Sequence, residues 1–305
     1  MHRAFQHIRQ TWGNHWFLPL LPAAYSAAVS ASGELRAEHV VVSVATLALG
    51  WGPRATQEFV ACSYPGVLVA LGYDVLRHLK PLFLRPDRVL ACELRDLELR
   101  FFAVAPDTTL ADFFQVHHSP FLDVFFAIPY ALFFYIVIGY AIYLFFADRR
   151  RMLWFVLAFA LIHVMAFAIW LTLPSAPPWY VRAYGCAIDI GAPPDAAALL
   201  RVDQILGIHY FEQFYARSPM VFGAMPSMHC AFPMIGLLTA WRAARWRTRP
   251  IHIAYTASMI VASVYLDHHW LLDGLAGWFI AIVAVLMARA LLPLFAPGLA
   301  AGAGR

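Results

Sequence analysis

Apolar residues are gathered into long runs rather than into the short alternating stretches of a soluble domain. Five runs, roughly 121–146, 152–173, 225–241, 251–268 and 271–292, are long enough to be read as helices crossing a hydrocarbon core of ~30 Å. A sixth covers 60–78, while 17–31 and 38–52 are shorter and could be spanning, re-entrant or interfacial. The pattern predicts an all-α bundle of six to eight transmembrane helices. Between the runs, "RPDRVLACELRDLELRFF" alternates charge with apolar positions and predicts an amphipathic helix lying at the membrane surface. Three regions follow: 1–120 with the first membrane segments and the interfacial helix, a transmembrane core over 121–294, and a tail at 295–305.

Composition strengthens this reading. Of 305 residues, 62% are hydrophobic and 13% charged, far from the quarter charged of soluble domains. The net charge of +4 is small, Lys80 is the only lysine, and no basic tract or low-complexity run occurs. A nucleic-acid partner is therefore excluded from consideration. The N-terminus, "MHRAFQHIRQTWGNHW", lacks the compact apolar core and small-residue cleavage site of a removable signal. Cys62, Cys92, Cys186 and Cys230 have no metal-ligand spacing and read as small buried hydrophobes.

Arginine sets the expected orientation. "DRRR" (148–151) and "RAARWRTR" (242–249) hold seven Arg in two short connections, whereas the long loop 174–224 holds three against four acids. Arg-rich short connections stay in the cytoplasm, so loop 174–224, the turn near 268–270 and segment 80–120 are expected on the other side. Arg3 and Arg9 put the N-terminus in the cytoplasm if both short runs span. His229 then begins an inward-running helix and His269 follows the next outward-running one, so both reach the same face.

At that face two motifs carry chemistry. In "YLDHHWLLDGLAG", His269 and Asp273 are four apart and share a face if the helix begins by 269. A carboxylate one turn from an imidazole can take its ring N–H and leave the other nitrogen as a nucleophile or base. In "PSMH", Pro226 suits a first helical position. Ser227 and the free amides of the first turn can hold an anion, and His229 stands beside it as a proton donor. An anion pocket, a His–Asp pair and a second His describe phosphoryl transfer through a phosphohistidine, with no metal and no cofactor required. Either histidine alone would fit a hydrogen-bonded packing role equally well. The two motifs in this order at one face are what point to a site.

PSMH followed by HWLLD resembles the type 2 phosphatidic acid phosphatase superfamily, whose later motifs read PSGH and SRxxxxxHxxxD. "LPSAPPWY" (173–180), "RVDQILG" (201–207), "SPMVFGAMPSMH" (218–229) and "HHWLLDGLAG" (268–277) are similar to the branch of that superfamily containing the fungal inositol phosphorylceramide synthases. The likeness spans about 120–290. It implies a superfamily-type membrane core and a transferase that takes phosphoinositol from a phosphatidylinositol-type donor onto His269. The headgroup then passes to the primary hydroxyl of a ceramide-type acceptor. His229 would protonate the departing diacylglycerol, and Asp273 would orient His269.

Departures accompany the likeness. The phosphatase pattern KxxxxxxRP is absent, "KPLFLRP" (80–86) having the wrong spacing, and Ser263 stands where phosphatases carry an Arg. The remaining cations for phosphate are Arg182, Arg201 and Arg217, with Arg182 first because it follows "APPWY"; a solvated or salt-bridged role is the alternative for each. Trp179 and Tyr180 could lie over the site or against the inositol ring, or serve as interfacial aromatic anchors. His268 is expected to point about 100° away from His269, toward water or the interface. Asp123 and His163, in or near apolar spans, suit interhelical hydrogen bonding, and Asp267 suits a cap for the last helix.

Two other functions compete. The same His–His–Asp machinery with water as acceptor would be a lipid phosphate or diphosphate phosphatase. A carrier or channel would need ionisable residues continuing down 225–241 or 251–268, and there are none. The Arg, Ala and Pro bias suggests a bacterial cell membrane with the site on the non-cytoplasmic face. Headgroup, acyl preference and any accessory subunit leave no mark that the sequence alone reveals.

Overall fold

A computed structural model describes residues 11–218, 220–243 and 246–295. Arg3, Arg9, most of the stretch tested for a removable signal and the tail beyond 295 lie outside the described residues. Helices dominate, and no strand forms among the described residues. In chain order they are α1 (Leu21–Ala31), α2 (Ala37–Gly50), α3 (Arg54–Phe83), α4 (Cys92–Phe102), α5 (Leu110–Val116), α6 (Pro120–Ala147) and α7 (Arg149–Thr172). Then come α8 (Pro178–Tyr184), α9 (Leu199–Leu206), α10 (Tyr210–Tyr215), α11 (Met228–Ala240), α12 (Arg249–Tyr265) and α13 (Leu271–Phe295).

Local chemistry sets many of these ends. Ser119 caps α6 by accepting from the Leu122 amide, with Pro120 at the first position, and Asp148 caps α7 through the Arg151 amide. Thr109 and Asp112 form a reciprocal capping box on α5. Gly207, at φ +65°, closes α9 in the left-handed conformation that costs glycine nothing.

Among the described residues, four helices are long and apolar enough to cross a membrane: α3, α6, α7 and residues Leu271–Leu294 of α13. The runs predicted at 225–241 and 251–268 are helical over fewer residues. At 13 and 17 residues, α11 and α12 extend about 20 Å and 26 Å, short of the hydrocarbon core. The chain before α11 is drawn out as a loop instead of being wound into the helix. The short helices are held by packing: α11 lies against α7, α12 and α13, and α12 against α6. At the centre, α7 touches α3, α6, α11 and α13, with Met152, Ala158, Ile162 and Ala166 fully buried. Its uniformly apolar sequence therefore faces protein more than lipid. By contrast α6 presents Phe121, Phe125, Ile128, Leu132 and Tyr135 outward.

Two glycines let α13 approach its neighbours. A Cβ on Gly274 would sit 2.7 Å from the Ile260 side chain. One on Gly277 would collide with the Ser227 carbonyl oxygen at the start of α11.

The segment expected at the membrane surface is present as α4, and it is covalently tied: Cys92 and Cys186 form a disulfide joining α4 to the chain after α8. That corrects the reading of all four cysteines as buried hydrophobes. Residues 94 positions apart cannot be paired from spacing, and only Cys62 and Cys230 remain free thiols. Above the bundle, three extended pieces lie side by side through isolated parallel bridges, Leu90 with Ser175 and Ser175 with Gly223. The buried Ser175 hydroxyl accepts the Met225 amide at 2.7 Å and fixes the last piece just before α11.

Candidate active site

The two histidines meet where α11 starts and the α12–α13 turn ends. His229 Nδ1 lies 3.2 Å from His269 Nε2. The other nitrogen of His269, Nδ1, is 2.9 Å from the carbonyl oxygen of Ala224 and 3.5 Å from Asp273 Oδ2. A carbonyl only accepts, so Nδ1 carries the proton and Nε2 presents a lone pair toward His229. The tautomer a nucleophilic imidazole needs is thus set mainly by a backbone carbonyl. Sequence reasoning assigned that task to Asp273 and missed Ala224, which no side-chain motif could flag.

The helix expected to begin by His269 begins at Leu271, two residues later. Asp273 nevertheless remains in reach because it closes the turn: its Oδ2 accepts the Trp270 amide at 2.9 Å, and its own amide donates to the Trp270 carbonyl. Asp273 is fully buried and its Oδ1 has no hydrogen-bond partner. The first amides of α13 are capped from another helix. Glu98 of α4, itself fully buried, accepts from Leu271 N at 2.9 Å and Leu272 N at 3.2 Å. Burial pushes the Glu98 carboxyl above its usual range, against the pull of those two amides. Asp267, expected as the cap, does not serve as one.

Ser227 is the N-cap of α11, its Oγ accepting the Cys230 amide at 3.4 Å, and Pro226 falls one residue before the cap rather than in the first turn. With Ser227 fully buried, its hydroxyl oxygen closes the helix end. Ser263, standing where phosphatases carry an Arg, is also buried, and its carbonyl accepts both the His268 and the His269 amides.

The arginines separate clearly. Arg182 donates to both oxygens of Asp267, from Nε at 3.3 Å and Nη2 at 2.8 Å, and from Nη1 to Asp112 at 2.7 Å. Burial raises the Asp267 carboxyl to about 6, with Arg182 opposing. Arg201 donates from Nε and Nη2 to Asp123 and from Nη1 to Gln115. Both arginines are neutralised by carboxylates. Arg217 is exposed, and its guanidinium makes no hydrogen bond or ion pair among the described residues. Arg182, expected first as the phosphate cation, is thus engaged by two carboxylates in this structure.

Tyr180 is corrected as well. It is fully buried, its hydroxyl donating to the Ala187 carbonyl and accepting the Asp189 amide, and no edge is left for a sugar ring or an interface. Trp179 is half-buried, and its amide donates to the Asp267 carbonyl at 3.2 Å. The "APPWY" segment thus clamps the histidine turn, as does the Trp270 indole N–H donated to the Ala176 carbonyl at 3.0 Å. His268 does not face water: it is buried, donates Nε2–H to the Ala196 carbonyl and stacks on Tyr215 at 4.4 Å. Asp123 gathers Arg201 and Tyr265 from other helices, while His163 bonds within its own helix, to the Phe159 carbonyl.

A bundle of apolar helices with paired imidazoles at its head is an integral membrane protein with a polar site at one end. The PAP2 superfamily profile matches residues 101–287, more than half of the chain, and the chain belongs to that superfamily. It is 30% identical over 248 residues to a phosphoinositol dihydroceramide synthase of Bacteroides thetaiotaomicron, covering 80% of this chain and 81% of that one. The inositol phosphorylceramide synthase catalytic subunit of Saccharomyces cerevisiae is 34% identical over 115 residues, 36% of this chain and 27% of its own length. The Schizosaccharomyces pombe subunit is 26% identical over 174 residues, 56% and 41% of the two chains. No solved structure matches the chain significantly. Enzymes of this kind act on lipids, and the chain is a phosphotransferase of the superfamily.

Proposed function

We propose that the chain moves phosphoinositol from a phosphatidylinositol-type donor to the primary hydroxyl of a ceramide-type acceptor. The observation that carries the reading is the His269 Nε2 lone pair, fixed by the Ala224 carbonyl and facing His229 Nδ1 at 3.2 Å. Nε2 attacks phosphorus, forming a P–N bond as the bond from phosphorus to the glycerol oxygen breaks. The doubly protonated His229 gives that oxygen its proton, and diacylglycerol leaves. The acceptor hydroxyl then loses its proton to His229 and attacks phosphorus, and the P–N electron pair returns to His269. Asp273 supports the imidazole that becomes positively charged, and Arg217 is the cation available to the phosphate.

Water in place of the acceptor would make a phosphatase. The names of the relatives favour the transferase, as does Ser263 buried where phosphatases carry a phosphate-binding Arg.

The catalytic unit is proposed to run over 121–294, with α4 and α5 of the preceding region as its outer brace. We place the site on the non-cytoplasmic face of a bacterial cell membrane. The Arg-rich connections lie at the other end of the helices, Glu58 at the start of α3 pairs with Arg149 at the start of α7, and a disulfide beside the site suits an oxidising compartment.

The test is purified protein in detergent with labelled phosphatidylinositol, with and without ceramide, beside His269→Ala. Phosphoinositol-ceramide and diacylglycerol formed only with ceramide, and lost in the variant, are expected. Ceramide-independent release of a water-soluble phosphate would establish the hydrolase instead.

A further inference from the structure

The long loop between α7 and α11 carries an apolar tip. After α9 the chain turns at Gly207 into α10, and Ile205, Leu206, Ile208, Tyr210 and Phe214 are each between 39% and 53% exposed. So dense a group of large apolar side chains marks a contact surface rather than a solvated turn. The other side of this hairpin is packed. Leu199, Val202 and Phe211 are buried in one cluster with Ala127 and Tyr130 of α6, and the Tyr215 ring stacks on His268 at 4.4 Å.

Its depth is set by a pair of hydroxyls. Tyr210 bonds to Tyr135, which belongs to the outward apolar stripe of α6 formed with Phe121, Phe125, Ile128 and Leu132. By helical rise Tyr135 lies about 18 Å from the Ala147 end, where the Arg-rich connection begins. A hydrocarbon core of ~30 Å measured from that end is not yet crossed at Tyr135, so the tip continues the lipid-facing stripe within the far half of the core. The backbone of the turn suits that place. The Gly207 and Ile208 amides both donate to the Asp203 carbonyl. The Phe211 and Glu212 amides donate to the buried Asp203 carboxylate at 3.2 and 2.9 Å. Lipid offers such donors nothing, so the protein must supply the acceptors itself. Glu212, about 160–200° round α10 from Tyr210 and Phe214, pairs with His209 at 2.8 Å and gives the element a charged side opposite the apolar one.

We propose that the α9–α10 tip is immersed in the leaflet on the histidine side of the membrane, its five apolar side chains among acyl chains and the His209–Glu212 pair at the headgroups. An amphipathic element of this kind sinks its apolar side about 5–10 Å below the headgroup boundary. The same hairpin presents Tyr215 to the histidine turn, so one short element stands between the acyl chains and the site. The immersion does not depend on which acceptor the enzyme uses.

The test places single cysteines by Leu206→Cys, Phe214→Cys and Glu212→Cys in the full chain, with Cys62 and Cys230 changed to Ala and the disulfide intact. Each thiol is given a nitroxide in detergent, and the protein is returned to phosphatidylcholine vesicles. At Leu206→Cys and Phe214→Cys, collisions with oxygen, which concentrates in hydrocarbon, should exceed those with a water-soluble nickel chelate at least about threefold, and the order should reverse at Glu212→Cys. Thermal unfolding accompanies each protein, and Ile205→Cys or Ile208→Cys takes the place of any variant that loses its transition. Nickel collisions as frequent at Leu206→Cys and Phe214→Cys as at Glu212→Cys would make the tip a solvated loop and overturn the proposal. Labels shielded from both reagents would mean that a protein surface, such as a second copy of this chain, covers the tip, and that result overturns it too.

Discussion

Arg182 grips Asp267 through two nitrogens, Nε to Oδ2 at 3.3 Å and Nη2 to Oδ1 at 2.8 Å, and so ties the short helix α8 to the turn that carries His268 and His269. Asp267 sits at φ +66°, a left-handed conformation that a non-glycine residue holds only when its surroundings enforce it. Arg182→Gln should therefore act on stability, lowering unfolding free energy by about 1–3 kcal/mol, and should reduce kcat through a loosened turn. Arg217→Gln should leave the melting temperature unchanged and raise the donor KM at least about fivefold. Steady-state kinetics with thermal unfolding on both variants separate the two. A reversed pattern would return Arg182 to the phosphate.

The nucleophile can be caught directly. Brief exposure to donor labelled in its phosphate, followed by a denaturing quench, should leave base-stable and acid-labile label on the wild type and none on His269→Ala. Label persisting in the variant would place the covalent bond elsewhere.

Glu98 reaches α13 from a helix outside the membrane bundle and never needs to touch a lipid. Glu98→Ala strips two buried amides of their acceptor and should cost about 1–3 kcal/mol, with a matching loss of turnover at unchanged KM. Glu98→Gln, which keeps one of the two acceptor oxygens, should be damaged less than Glu98→Ala. Equal damage from the two variants would show that a single acceptor oxygen does not hold the turn.

Gly277→Ala puts a methyl group into the Ser227 carbonyl and must push the start of α11 away from α13. His229 and His269 ride on those two elements, so a loss of activity of about 10²-fold or more is expected even where the protein still folds. Gly66→Ala, on α3 with open space around it, is the control and should be silent in the same assay.

Orientation is read by thiol labelling in intact cells. A cysteine at Ser218 should react with an impermeant reagent and one at Thr248 should not. The opposite result would place the site in the cytoplasm.

The solvent, most of the helices and the candidate reacting groups are legible in the order of residues. Long apolar runs can only be satisfied as helices in lipid, and the scarcity of intramembrane ionisable residues makes His229, His269 and Asp273 conspicuous in the chain alone. Counting spans even brings both histidines to one face. Which polar groups are spare is a different matter, and it is settled by the packed molecule. A phosphate ligand must be an unoccupied donor, and for Arg182 occupancy depends on partners far away in the chain, Asp112 and Asp267. The groups that tune the site come equally from a distance. The Ala224 carbonyl has no residue signature at all, while Glu98 and the Cys92–Cys186 link sit in regions whose local pattern says only amphipathic helix or loop. Local periodicity fixes the path of the backbone through the membrane. Hydrogen-bond satisfaction is a property of the whole fold, because a buried donor takes whatever acceptor the fold brings to it.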